Sequence, residues 1–435
     1  MSTNTCRLFV VLTFVINTSA WATEKLSGDS NQESPRGSSE DVEQESTLIQ
    51  PTISNHFDDA LKVNSSELTF ASCDEEKARS SGPSGTWIAE IAAKVRQENQ
   101  LVGIGAIVMV DGQVVATTVD GERVKGSGVS LELGDRWHLG SVTKSITSTM
   151  IARLVEAGQM QWTDTIGQYF QEASIDNDWK PVTLSQLLTH TAGAPANFPL
   201  WMMLLKPTTD EECTAKRRQA VIGVLRQKPA FPPGQKYSYS NIGYTIAGAM
   251  AESATKMSWE DLVKREVFNP LKLRSGGFGP PQSQNESIDE PRGHLHTHNG
   301  ETSVSEKFDI TPIIGPAGTA HMTLADLCTY GAEHLRGELG KSPFLSTETF
   351  KRLHTPSLEN YAYGWVKNQP TKELPYTTFW HNGSNTMWYT LLTFIPDKNM
   401  TVAVTSNDGD VARAQNAAWA IVNASVQHFT GDVQN

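Results

Sequence analysis

Ser141 and Lys144 stand three residues apart in Gly140-Ser141-Val142-Thr143-Lys144. Met150, Ile151, Leu154 and Val155 then recur at helical spacing, and Gly158 ends the run. On a helix, a spacing of three puts both side chains on one face, with Cβ atoms roughly 5–6 Å apart. A hydroxyl beside an amine is a nucleophile with a candidate base. A helix start also leaves its first backbone N–H groups free. The pattern is short, and Ser253-Ala254-Thr255-Lys256 repeats it, so spacing alone does not choose Ser141.

Three more segments carry groups that complement a nucleophile. Tyr239-Ser240-Asn241 offers a phenol and an amide. His381-Asn382-Gly383-Ser384 follows the β-rich Thr377-Thr378-Phe379-Trp380. Thr189-His190-Thr191-Ala192-Gly193 closes a short helical pattern beginning at Leu184. Taken singly, these read as a loop-to-helix junction capped by Asn241, a turn between strands, and a helix end.

The elements that must position these groups fall into three blocks. Trp87–Arg96 is an amphipathic helix. Ile104–Val110 and Gln113–Val119 are apolar, β-branched runs joined by Asp111-Gly112, a strong hairpin signal. Residues 160–300 read mostly as helices and loops, with Ser253–Val267 helical, Pro270 closing it, and 274–305 a loop. Thr323 caps a helix to Arg336, with Asp326 three residues on. Tyr361–Val366, Thr377–His381, Trp388–Ile395 and Met400–Ser406 are candidate strands, with a turn at Pro396–Asn399. A helix from Ala412 to about His428 follows. Strands at both ends with helices between predict one α/β lobe built from both ends of the chain, plus an inserted helical lobe.

Composition narrows the function class. The 435 residues carry a net charge of −12 with no basic cluster, which argues against nucleic-acid binding. Residues 23–60 hold nine acidic and two basic residues, a local charge of −7, and read with the stretch to residue 80 as an acidic, disordered linker. Before it, Arg7, the apolar run Leu8–Ile16 and Ala20-Trp21-Ala22 form a signal-peptide pattern over 1–22. Cleavage near Ala22 predicts a secreted or periplasmic protein, with the folded domain over 81–435. Cys73, Cys213 and Cys328 would remain, too few for a disulfide framework, although one pair is possible. His294, His296 and His298 alternate but lack a carboxylate or thiol partner, so no metal or other cofactor is expected.

In this order and at this spacing, Ser141-x-x-Lys144, Tyr239-x-Asn241 and His381-x-Gly383 resemble the serine β-lactamase and penicillin-binding hydrolases, with the class C type nearest. The likeness extends over residues 85 to 430, including Leu187–Gly193, Gly315–Gly318, Tyr363-Gly364-Trp365 and Ala412–Asn423. It implies an antiparallel sheet flanked by helices, in an α/β (α+β) fold with a second helical lobe. It implies that Ser141 forms an acyl-enzyme, with Lys144 or Tyr239 as base and Asn241 orienting the lysine or a substrate amide. It assigns the oxyanion hole to the backbone N–H groups of Ser141 and Ser384. It places His381, Asn382, Gly383 and Arg413 at the substrate.

Histidine at 381 departs from the lysine usual in the lactamases. A mostly neutral side chain there fits a DD-peptidase, a D-aminopeptidase or an esterase better than a β-lactamase. The expected partner is a small-molecule or peptide substrate: a D-amino acid peptide, a β-lactam or an ester. A carboxylesterase without a role in peptidoglycan, or a sensor that binds penicillin without turnover, are the alternatives. The oligomeric state is left open.

Overall fold

A computed structural model describes residues 85–430 except 204, 283–286 and 298–299. The leader and the acidic segment read at the N-terminus lie outside the described residues, as do Cys73 and His298.

The chain enters through helix α1 (Thr86–Glu98) and the hairpin of β1 (Gly103–Val110) and β2 (Gln113–Gly121). Asp111 and Gly112 both take positive φ, 52° and 74°, as a two-residue hairpin turn requires. β3 (Arg136–His138) leads through a 3₁₀ turn at Gly140–Val142 into α2 (Thr143–Glu156). The middle of the chain holds α3 (Leu184–Leu188), α4 (Asp210–Leu225) and α5 (Asn241–Thr255). Short strands β4 (Gly277–Phe278), β5 (His294–Thr297), β6 (Gly300–Ser303) and β7 (Ala320–Thr323) precede α6 (Leu324–Glu338). Then come β8 (Val366–Asn368), β9 (Thr378–Ser384), β10 (Tyr389–Ile395), β11 (Met400–Ser406) and α7 (Val411–Thr430).

The main sheet runs β2-β1-β11-β10-β9-β8, with each neighbouring pair antiparallel. β1 pairs with β11 from Ile104 opposite Ser406 to Val110 opposite Met400, which joins the two ends of the chain in one sheet. In a smaller sheet, β3-β7-β4, Trp137 of β3 packs edge-on against Trp388 beside β10, and Phe278 of β4 packs against Trp259 of the helical lobe. Every residue of β10 and β11 is buried. The reason is that the sheet carries a core on each face. On one face Ile88, Ala92, Ile421 and Val422 of α1 and α7 pack on Ile104, Val108, Leu391 and Val404. On the other, Leu392, Phe394 and Ala403 join the core of the helical lobe. Burying so many apolar side chains, at ~25 cal/mol per Å² removed from water, is the main force assembling both layers.

Three expectations need correction. Ser253–Val267 is not one helix. α5 ends at Thr255, Lys256 turns left-handed (φ 60°), and Ser258 caps a new segment at Trp259. Segment 274–305 is not all loop, since β5 and β6 form a hairpin. Tyr361–Val366 is not a strand: Gly364 takes φ +79°, and a Cβ there would lie 2.6 Å from the Ser145 backbone. That turn exists to pass close over α2.

Candidate active site

Ser141 sits where β3 gives way to α2. Gly140 takes φ +49°, which an L side chain rarely adopts, and a Cβ on it would lie 2.4 Å from the backbone N of Ser384. The contact is reciprocal. A Cβ on Gly383 would lie 2.4 Å from the backbone N of Ser141 and 2.1 Å from the carbonyl oxygen of Leu139. Glycine on both chains therefore lets β9 press directly against the Ser141 turn. The two amides assigned to an oxyanion hole meet at this contact.

α2 is buried on nearly all sides, so its polar groups must find partners inside. Ser145 donates to the Val142 carbonyl (2.8 Å), Thr147 to Pro316 (2.8 Å) and Thr149 to Ser145 (2.8 Å). Lys144 is fully buried. Its Nζ lies 3.0 Å from Ser141 Oγ, 2.7 Å from Asn241 Oδ1 and 2.8 Å from the Ala317 carbonyl oxygen. None of these partners is a carboxylate. Burial therefore drives the lysine pKa well below its usual range, with nothing to restore it. A neutral amine has two N–H groups and one lone pair. As an ammonium Lys144 donates to all three oxygens; in the neutral form the two carbonyl oxygens can take both N–H groups, which leaves the lone pair facing the Ser141 hydroxyl.

Asn241 is free to hold Lys144 because it is not the helix cap. Ser240 caps α5, its hydroxyl accepting from Gly243 N at 2.9 Å, and Asn241 is the first helical residue. The Asn241 side chain bridges two groups, accepting from Lys144 and donating to Asn197 Oδ1 at 2.6 Å. Tyr239 is half-buried, with Lys144 Nζ 4.7 Å from its ring centroid. Burial pushes its phenol above the usual range, opposed by its hydrogen bond with Ser141. Burial thus shifts both groups toward their uncharged forms, the amine downward and the phenol upward.

His190 fixes the Tyr239 turn from below. It adopts φ 59°, its Nδ1 accepts from Ser240 N at 3.1 Å, and its carbonyl accepts from Ser238 N at 2.9 Å. Its ring lies 4.4 Å from that of Tyr239 and 4.6 Å from that of Tyr361. Burial, then Lys144 and His381, hold it well below its ordinary pKa, so it is a neutral support.

His381, Asn382 and Arg413, expected at the substrate, are turned elsewhere. His381 is 3 % exposed. Its Nδ1 donates to the Asn382 carbonyl, and its Nε2 accepts from the Tyr361 hydroxyl at 3.1 Å. Burial and Lys144 lower its pKa to about 3, so it stays neutral. Asn382 points to the opposite face of the sheet, donating to Gln415 Oε1 of α7 at 3.1 Å. Arg413 is held by Asp410 (3.1 Å) and Glu301 (3.6 Å). None of the three lines the cavity in front of Ser141. His294 is likewise occupied, between the Asn407 carbonyl (2.8 Å) and Lys125 N (3.0 Å). Among the described residues no His, Cys, Asp and Glu group could hold a metal ion.

The cavity encloses about 100 Å³. Ser141, Tyr239, Asn241 and Ser384 line one side; Met203, Ile310, Ile314 and Ala317 supply apolar wall; Asn197, Asn385 and Thr386 supply neutral polar groups. No Lys, Arg, Asp or Glu is among these lining residues. Asn197 and the Ala317 carbonyl were not legible in the sequence. Ala317 lies in Gly315-Pro316-Ala317-Gly318, part of the resemblance, but nothing in that run marks a backbone oxygen as a lysine acceptor.

Comparison with known proteins matches residues 88–425 to the beta-lactamase family model. The chain belongs to the beta-lactamase family. It is 26 % identical over 244 residues to penicillin-binding protein 4 of Amycolatopsis lactamdurans, covering 55 % of this chain and 61 % of that one. It is 21 % identical over 324 residues to protein flp of Staphylococcus aureus, covering 72 % and 60 %. The chain thus spans about three-fifths of the length of these curated relatives. Among solved structures, an octameric penicillin-binding protein homologue from Pyrococcus abyssi superposes with a TM-score of 0.66 at 23 % identity, covering 80 % of this chain and 77 % of that one. A D-stereospecific amidohydrolase from Streptomyces gives 0.61 at 21 %, covering 79 % and 99 %. The antiparallel sheet flanked by helices is the fold of this beta-lactamase family.

Proposed function

We propose that this beta-lactamase family member is a serine hydrolase that acylates Ser141 with uncharged esters or amides. The observation that carries the reading is the contact set of Lys144, a buried amine held by two carbonyl oxygens with Ser141 Oγ at 3.0 Å, so that its neutral form turns its lone pair to Ser141. Lys144 takes the Ser141 proton as Oγ attacks the substrate carbonyl carbon. The backbone amides of Ser141 and Ser384 receive the developing oxyanion. On collapse, the Tyr239 phenol gives its proton to the leaving oxygen or nitrogen, and the Lys144 ammonium returns a proton to Tyr239. Water then attacks the acyl carbon by the reverse sequence. Tyr239→Phe keeps the ring and removes the relay, so kcat should fall by ~10²–10⁴. An unchanged steady-state rate removes Tyr239 from the mechanism.

The cavity favours the ester reading among the alternatives. A D-Ala-D-Ala terminus or a β-lactam brings a carboxylate, and a D-aminopeptidase substrate brings an ammonium. Neither finds an opposite charge among the cavity-lining residues, and a charge that loses water there without a partner is disfavoured. The relatives named for penicillin binding and D-stereospecific amidohydrolysis keep the amide reading in the comparison. The test is a panel of p-nitrophenyl acetate and butyrate, a D-amino acid amide, a D-Ala-D-Ala peptide and nitrocefin. The neutral esters should show kcat/KM at least about tenfold above the charged substrates. Faster turnover of nitrocefin or the peptide overturns the substrate reading, and inertness to all five overturns the enzyme reading.

A further inference from the structure

Both segments that meet at the glycine contact continue into one buried carboxylate. His138, two residues before Gly140, is fully buried. Its Nδ1 accepts from Gly140 N at 3.1 Å, and its Nε2 lies 2.9 Å from Asp309 Oδ2. Asn385, the residue after Ser384, is 4 % exposed and donates from Nδ2 to Asp309 Oδ1 at 2.8 Å. The same Oδ1 accepts from Ile310 N at 2.7 Å, and the Asp309 carbonyl oxygen accepts from Lys206.

Gly140 N can only donate, so His138 Nδ1 carries no proton. The imidazole proton is therefore on Nε2 and is given to Asp309. The Asn385 side chain is fixed in the same way, since its Oδ1 accepts from Met387 N at 3.2 Å and its Nδ2 must turn to Asp309. The carboxylate thus holds one amide-bearing segment through His138 and the other through Asn385. The hydroxyl of Thr390 on the His138 carbonyl (3.0 Å) keeps that strand from sliding.

We propose that Asp309 is a positioning residue that sets the spacing of the Ser141 and Ser384 backbone amides, acting through the His138 tautomer on one side and Asn385 on the other. The proposal rests on the oxyanion role given to those amides above. Catalysis by fixed donors depends on their being in place before charge develops. Asp309→Asn keeps size but presents N–H groups to His138 Nε2. That favours the other tautomer, whose Nδ1–H opposes Gly140 N–H and disturbs the turn.

The test combines two readouts on the full chain. The first is the ¹⁵N spectrum of the His138 imidazole, assigned by its loss in His138→Asn. The proton should sit on Nε2 in the wild type and on Nδ1 in Asp309→Asn. A wild-type imidazolium or Nδ1–H tautomer overturns the proposal, as does an unmoved proton in the variant. The second is turnover of p-nitrophenyl acetate against its thionoester, whose sulfur profits less from oxyanion donors. In Asp309→Asn, kcat should fall about 10²–10³-fold with KM within about twofold, and the ester-to-thionoester rate ratio should narrow about tenfold. A fall in kcat with the ratio intact, or no fall at all, leaves Asp309 a structural residue and overturns the proposal. His138→Asn, whose Oδ1 replaces Nδ1, should retain at least about tenfold more activity than His138→Leu, and equal activity in the two counts against it. The nitrogen spectrum needs no turnover, so a chain inert to every ester refutes the hydrolase reading while the tautomer decides this one.

Discussion

Ser141→Ala should retain the wild-type fold and lose at least about 10⁴-fold in ester turnover. The fold survives because Ser141 is only half-buried and its Oγ takes part in a hydrogen bond with the Lys144 amine rather than in the backbone of the turn. The backbone of the turn is held by other groups: Thr143 Oγ1 donates to the Gly140 carbonyl at 2.7 Å, and Leu139 N to Ala320 at 2.9 Å. Turnover collapses because the acyl group has nowhere to go. Residual rate over water comes from the oxyanion donors and binding alone, as in other enzymes whose nucleophile is removed. Thermal unfolding and p-nitrophenyl acetate hydrolysis measure the two halves. A variant that folds and retains a tenth of the rate would place the nucleophile elsewhere.

Lys144→Met should cost nearly as much, about 10³-fold or more, since without a base the hydroxyl is a poor nucleophile at neutral pH. The informative control is Lys144→Arg. Arginine keeps a cation but does not surrender its proton. If Lys144 acts as a neutral base, arginine and methionine are equally inactive. If it acts only as a fixed charge, arginine restores much of the rate. The pH profile has a determined sign. Burial lowers the Lys144 pKa, and the active form is the deprotonated one. The kcat/KM of the wild type therefore rises as pH climbs through this depressed value and levels off above it, well before the range of an ordinary lysine. An acid limb near the ordinary lysine pKa contradicts the neutral-base assignment.

Much of the scaffold was legible because it is local. Apolar, β-branched runs with Asp111-Gly112 between them place β1 and β2, and the apolar runs at 388–395 and 400–406 place β10 and β11 within a residue. The spacing that brings Ser141 and Lys144 to one helical face is local too. What pairs them with Asn241, 97 residues away, showed only as the order of three motifs. Orientation was the weak point. Histidine at 381 and asparagine at 382 sit on the expected strand, but pairing turns Asn382 toward α7 and buries His381 behind Tyr361. Only the resemblance puts Arg413 at the substrate, whereas its carboxylate neighbour Glu301 arrives from a hairpin within a segment that reads as loop. Lys256 breaks the helix in a left-handed conformation for which a lysine gives no signal. His138 and Asp309 are 171 residues apart and match no motif, so only the folded chain joins them.

The central claim is that Ser141 is the residue that becomes acylated, and a fluorophosphonate tests it without any choice of substrate. Intact-mass and peptide mass spectrometry of the treated protein should find one phosphonyl adduct, on Ser141. It should be absent from Ser141→Ala and much slower to form in Lys144→Met. No adduct on the folded wild type, or an adduct on another residue such as Ser253, would contradict the account.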